Sequence, residues 1–456
     1  MSTDASRSTG GAAPRRLLSP LVDAVTTDDA VVTALVTAEV ALARAWGEVG
    51  VAPASAVAEI ESALGWTGAG QWCVGREIAT AQVAADVASG GNPVIPLIPL
   101  LRARVSAEAG EWIHRSATSQ DIMDTGLMML AVDTARHVAL ALEDTERALS
   151  AFALEHRDTV AVARTLTQHA VPTTVGLRAR NWLAGIKRAR VRLVDAAAAV
   201  PAQLGGAAGT LAASVEVART GGAKDAVAVA SALPAAFAAE VGLAAPETPW
   251  HTTRWPVTEL GDALVQAVDA LGVLASDVAL LTRPELSELT VGATGGSSAM
   301  PHKRNPTAAV LIRSAAMRAP HLAATLHTAS AFAVDERPDG AWHAEWPVLD
   351  ELVCLALGAA RAGAELAAGL SVDKARVAAN LESSHGLVVS ERLAAVLTPV
   401  IGADRFAALL QQPDFAAAVR ALPEAADLDV DALLDPAHYT GLAAHWVDGL
   451  HESPPS

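Results

Sequence analysis

Between Gly295 and Pro306 the chain reads Gly-Gly-Ser-Ser-Ala-Met-Pro-His-Lys-Arg-Asn-Pro, which puts paired glycines, paired serines, a lysine and an asparagine within twelve residues. Each residue type has a chemical use. Glycines leave backbone N–H groups exposed and let a loop move. A serine offers a nucleophile or a base, and Lys303 with Asn305 can hold a carboxylate or a developing oxyanion. As composition alone, the run reads first as a mobile surface loop capping the helix after Pro306. Two other polar stretches carry hydroxyl, amide and imidazole groups: His114-Arg115-Ser116-Ala117-Thr118-Ser119-Gln120-Asp121, and Arg164 to Gly176 with Gln168 and His169. By themselves these read as a helix N-cap cluster and a loop with a surface histidine.

The elements that must position these stretches are helical. Val32, Leu35, Val36, Leu42, Trp46 and Val49 recur at helical spacing over 31–49. Long Ala/Leu/Val segments with charges on one side follow at 121–155 and 177–200. The stripe Leu260, Leu264, Val268, Leu271, Leu274, Val278 and Leu281 is what a bundle helix turns toward its neighbours. Nothing of comparable quality alternates as a strand does. Gly91-Asn92-Pro93-Val94-Ile95-Pro96 predicts an extended or turn segment between helices, and the Ala-rich portion from about residue 356 is again helical.

Composition sets the outer bounds. The chain has 456 residues, 52% hydrophobic but only 4% aromatic, which favours close-packed helices. A formal net charge of -17 argues against nucleic-acid and anionic-membrane partners, which need a basic footprint. Cys73 and Cys354 are too few for a disulfide framework or zinc cluster, and cytoplasmic location is the expectation. The first 16 residues read as a disordered tail without a signal sequence. Apolar stretches such as 352–370 are interrupted by Arg361 and Glu365, so no membrane span is expected. No metal, nucleotide or flavin motif appears, and no cofactor is expected.

The order of residues in GSSAMPHKRNP resembles the signature of the fumarase/aspartase superfamily, and the other two polar stretches fall where that family has its remaining active-site segments. The likeness is greatest to its 3-carboxy-cis,cis-muconate cycloisomerase branch, over roughly 17–400. Its marks are Gly91 to Pro96, Gln203 through Thr210 (QLGGAAGT), Pro249-Trp250-His251-Thr252, Asp335-Glu336-Arg337 and Gly340 through Trp346. Without the resemblance, the tryptophans of the last run would be core or interface anchors, with His343 and Glu345 a hydrogen-bonded pair.

The resemblance implies an all-α fold: a disordered tail (1–16), an N-terminal helical domain (17–107), a long central helix bundle (108–355) and a C-terminal helical domain (356–456). It implies a homotetramer whose active sites draw on several subunits. Ser297 would be the base removing the proton α to a carboxylate, and Lys303 with Asn305 would stabilise the aci-carboxylate. His114, Thr118, Ser119, Gln168, His169, Ser298, Met300 and Arg337 would bind a small di- or tricarboxylate, and Arg254 is a further candidate cation, weighed against a surface salt bridge. Many lyases of the superfamily have histidine directly after the Arg-Thr of the second segment, where this chain has Leu166. A carboxylate leaving group, whose acid has a pKa of about 4, departs without that acid. Lactone opening, the cycloisomerase reaction run backwards, is such a case, so lactonisation of 3-carboxy-cis,cis-muconate is the activity the resemblance implies. The alternatives are elimination of another weakly basic group, such as nitrite from nitrosuccinate, or adenylosuccinate-lyase-like activity, with a non-catalytic helical scaffold behind these. Ser116, where the cycloisomerase branch usually has glycine, Arg115, where some members have tryptophan, and Thr253, often glutamine, bear on which substrate is held.

Overall fold

The computed structural model describes residues 20–21, 26–74, 78, 80–292, 295–296, 300 and 302–450. The expected tail, 1–16, lies outside them. Among the described residues are eighteen α-helices and four short strands, so the fold is all-α in character. The helices begin with α1 (Asp28–Glu48), α2 (Ala54–Leu64), α3 (Thr80–Gly90), α4 (Val94–Arg102), α5 (Ala107–Gly110) and α6 (Ser119–Glu155). A hairpin of β1 (Val160–Thr165) and β2 (Gln168–Thr174) leads to α7 (Val175–Ala199), α8 (Ala212–Thr220), α9 (Ala226–Val241) and α10 (Trp255–Leu281). Then come β3 (Leu289–Val291), α11 (Thr307–Ala331), α12 (Gly340–Ala368) and β4 (Leu370–Val372). Six shorter helices close the chain: α13 (Lys374–Glu382), α14 (Ser390–Ile401), α15 (Ala403–Leu409), α16 (Phe415–Arg420), α17 (Val430–Leu434) and α18 (Ala443–Asp448).

The chain divides into two compact units, one of residues 1–140, 190–268 and 315–359 and the other of 141–189, 269–314 and 360–456. The long helices α6, α7, α10, α11 and α12 contribute residues to both. In the first unit α1 is capped by the Thr27 side chain, which accepts from Ala30 N–H, and opens with Asp28 and Asp29 at its positive end. Its Leu35, Leu42 and Trp46 are fully buried in a core shared with Ile60, Leu97, Leu101, Ile122 and Phe237. The second unit has its own smaller core, in which Val162 meets Val389, Leu393, Leu397, Phe415 and Val419.

Three expectations are corrected. The stretch 164–176 is not a loop: β1 pairs antiparallel with β2 through a two-residue turn in which Leu166 (φ 48) and Thr167 (φ 69) are both left-handed. That is the backbone of a type I′ hairpin. Residues 94–96 are the first turn of α4, because the Asn92 side chain accepts from Val94 N–H and Ile95 N–H and prolines are tolerated where no intrahelical donor is needed. Finally, three helices, Asp28–Glu48, Ser119–Glu155 and Trp255–Leu281, are long and apolar enough to cross a membrane by length and composition. Their apolar windows are 72%, 67% and 50% buried within the protein, so much of that apolar surface already faces other parts of the chain.

Candidate active site

Segment 114–121 is built around one buried carboxylate. Asp121, fully buried, accepts from Gly205 N–H at 2.9 Å and Gly206 N–H at 3.0 Å, from Thr118 N–H at 2.9 Å, and lies 2.7 Å from Nε2 of the buried His251. Its own N–H bonds to Thr118 O, so Thr118 caps α6 and the chain turns into the helix at Ser119. This explains the runs at 203–210 and 249–252: they hold the segment from behind. Gly205 is required there, since a Cβ would come within 2.7 Å of Pro249 Cβ and 2.8 Å of His251 Cε1.

Around this hub the first unit gathers four of the predicted site residues. Ser119 opens α6. The Thr118 hydroxyl accepts from Arg337, whose second amino group bonds to Ala207 O at 2.7 Å. His114 and Ser116 both have left-handed backbones, φ 61 and φ 63, which accounts for glycine being the usual residue of the resembling branch at 116. The Ser116 hydroxyl lies 2.8 Å from that of the buried Ser214. His114 Nδ1 lies 2.7 Å from Glu39 Oε1. Burial alone would lower the His114 pKa, and Arg102 adds to that. The Glu39 carboxylate, with Asp121 beyond it, outweighs both and raises it above its ordinary value.

Arg254 is neither a substrate cation nor a surface pair. It is 2% exposed and fully engaged by Asp124 at 2.7 Å and Glu345 at 2.6 Å. Asp124 also receives Trp342 Nε1–H, and Trp342 stacks edge-on against Trp346, so these tryptophans anchor the core. His343 bonds to Gly91 O at 2.9 Å, not to Glu345, and the supposed His343–Glu345 pair is absent.

The second unit carries the other two segments. Gln168 and His169 begin β2 and are exposed, and Leu166 at the hairpin apex is 96% exposed. The hairpin is held near its turn by the buried Glu288, which accepts from Arg164 at 2.5 Å and Asn380 at 3.0 Å and lies 3.4 Å from Arg178. Burial opposes ionisation of Glu288, but these donors prevail and lower its pKa. In the third segment Gly295 and Asn305 exchange both backbone hydrogen bonds, at 2.9 and 3.1 Å. Within the segment bounded by this pair, Met300 and Lys303 are both exposed. Ser297 and Ser298 lie outside the described residues. Among those described, no hydrogen bond or ion pair joins Gln168 or His169 to Lys303 or Asn305.

Glu39, His251, Ser214 and Glu288 were missed by the sequence reading. Two of them leave a signal: His251 lies in the run 249–252 already marked by the resemblance, and Glu39 is a lone carboxylate in the middle of the apolar run of α1.

A family profile described as Lyase matches residues 20–320. The chain is 42% identical to the nitrosuccinate lyase of Streptomyces davaonensis, covering 95% of this chain and 93% of that protein. It is 39% identical to the 3-carboxy-cis,cis-muconate cycloisomerase of Pseudomonas aeruginosa over 90% and 89%. The structure of the 3-carboxy-cis,cis-muconate lactonizing enzyme from Pseudomonas putida superposes with a TM-score of 0.81 at 35% identity, covering 92% and 93% of the two chains. With the signature loop, the capped first segment and these likenesses together, the chain is an enzyme of the fumarase/aspartase superfamily, in the group that includes the 3-carboxy-cis,cis-muconate cycloisomerases.

Proposed function

We propose that the enzyme removes a proton α to one carboxylate of a succinate derivative and expels a weakly basic anion from the neighbouring carbon, converting nitrosuccinate to fumarate and nitrite. The observation that carries this is Leu166, exposed at the hairpin apex where lyases with basic leaving groups have histidine. Nitrite departs without a proton, so no general acid is needed there. The 42% identity to a nitrosuccinate lyase supports the choice. In this reading the α6 N-terminus, with Thr118, Ser119 and Arg337, binds one carboxylate. Ser297 takes the proton, and Lys303 and Asn305 hold the doubly negative aci-carboxylate. The C–H electron pair becomes the new double bond, and the C–N pair leaves with nitrite. His114, Gln168, His169, Ser298 and Met300 are assigned to substrate binding, on segments contributed by different copies of the chain. The enzyme works as a cytoplasmic homotetramer, a state consistent with the exposed apolar residues on its long helices.

The second reading is lactonisation of 3-carboxy-cis,cis-muconate. It is favoured by the 39% identity to the Pseudomonas aeruginosa enzyme, and in it the same serine delivers a proton to the α carbon while a substrate carboxylate adds to the double bond. Ser116 tells against it by placing a hydroxyl where that branch usually has none.

Purified enzyme is given each compound in turn, with nitrite read by diazo coupling and the diene by ultraviolet absorbance. Nitrite release and fumarate in equal amounts are expected, and Ser297→Ala should lower kcat by about 10²-fold or more, the scale of a lost general base. Loss of the diene without nitrite release would establish the second reading instead.

A further inference from the structure

The His114–Glu39 contact has features that a plain packing contact would lack. Glu39 sits in the middle of α1 with no exposure, and its Oε1 is 2.7 Å from His114 Nδ1. Among the described residues its Oε2 is buried without a hydrogen-bond partner, and the imidazole alone satisfies that carboxylate. A buried carboxylate is costly unless paired with a cation or hydrogen-bonded. The pair is therefore most favourable with the proton on the imidazole. The other charged groups facing His114 are Asp121 at the start of α6 and Arg102 at the end of α4, and Arg102 is occupied with Ile113 O at 2.9 Å. Among the described residues no hydrogen bond reaches His114 Nε2, and His114 lies four residues before Thr118 on the segment assigned to substrate binding.

We infer that Glu39 is a positioning residue: it orients His114 through Nδ1 and keeps the imidazole cationic, so that Nε2–H grips an anionic oxygen of the substrate, a carboxylate or nitro oxygen. The inference rests on the reading that residues 114–119 bind substrate. It makes α1, remote in sequence from all three signature segments, part of the substrate-recognition apparatus.

The test measures kcat and KM from pH 5.5 to 9 for wild type, Glu39→Gln and His114→Gln, using whichever of the two proposed substrates is turned over. In parallel, the His114 imidazole is titrated by NMR in wild type and Glu39→Gln, its signal identified by its loss in His114→Gln. A neighbouring opposite charge shifts a pKa by about one to three units, so Glu39→Gln should lower kcat/KM about tenfold or more at alkaline pH, with the deficit within about twofold at the acid end. The loss should fall on KM, and the NMR midpoint of His114 should drop. An equal deficit at every pH, or an unchanged midpoint, would overturn the inference. If Glu39→Gln does not fold, His114→Gln decides: it must lose the alkaline limb that wild type shows, and retention of that limb overturns the proposal. If wild type turns over neither compound, the functional reading fails while the NMR midpoint still decides the pair.

Discussion

Asp121 illustrates what a single side chain does in this enzyme. Two backbone amides of the glycine turn, the Thr118 amide and His251 converge on its two oxygens, and none of these groups touches solvent freely. In Asp121→Asn one oxygen is replaced by an NH₂ group that cannot accept from the N–H groups facing it. A buried donor left unsatisfied costs about 1–3 kcal/mol, so the first turn of α6 should loosen and kcat/KM should fall by about tenfold or more with secondary structure retained. Circular dichroism and steady-state rates check this, and unchanged rates would mean that the hub does not govern the site. The types of the site residues were readable because short signature runs keep them close in sequence. Their supports were not: Glu39 is 75 residues from His114 and His251 is 130 from Asp121, and no local pattern links such pairs.

At the scale of elements, the helices announced themselves by period, and the stripe from Leu260 to Leu281 lies within α10 with every member buried. The hairpin did not. Its turn residues are Leu166 and Thr167 in place of the Asn-Gly that usually signals a type I′ turn, and β2 contains Pro172. Tertiary support compensates: Glu288 joins β1 through Arg164, α7 through Arg178 and α13 through Asn380. Because the folded-state pKa of Glu288 lies below its unfolded value, its contribution is present above the unfolded pKa and is lost as pH falls through the folded one. Removing one partner of a buried pair costs about 3 kcal/mol or more, so amides of 160–174 should exchange hydrogen about a hundredfold faster in Glu288→Gln at pH 7. The ratio of protection between the two proteins should shrink toward one as pH is lowered below the ordinary carboxylate range. A pH-independent ratio would show that the staple does not act through its charge.

At the scale of the whole molecule, the long helices leave apolar residues uncovered at a seven-residue interval: Val273 and Leu280 on α10, 59% and 43% exposed, and Val310 and Met317 on α11, 50% and 66% exposed. Residues seven apart share a helix face, and such faces are the ones helices bury against one another. Assembly of several copies would cover them. It would also allow the first and third segments at one active site to come from different chains, as the proposed tetramer requires. Arg337→Ala removes the donor held against Thr118 of the first segment, Lys303→Ala damages the third, and each should be nearly inactive alone. If every site took both segments from one chain, mixing the two variants would restore nothing, since each chain carries a lesion. If the segments come from different copies, unfolding and refolding an equal mixture lets chance assemble some sites from two undamaged segments. For closed assemblies with random mixing about a quarter of sites would be intact, and activity should recover toward that fraction of wild type. Absence of recovery in a mixture shown by native mass spectrometry to contain mixed oligomers would place each active site within a single chain.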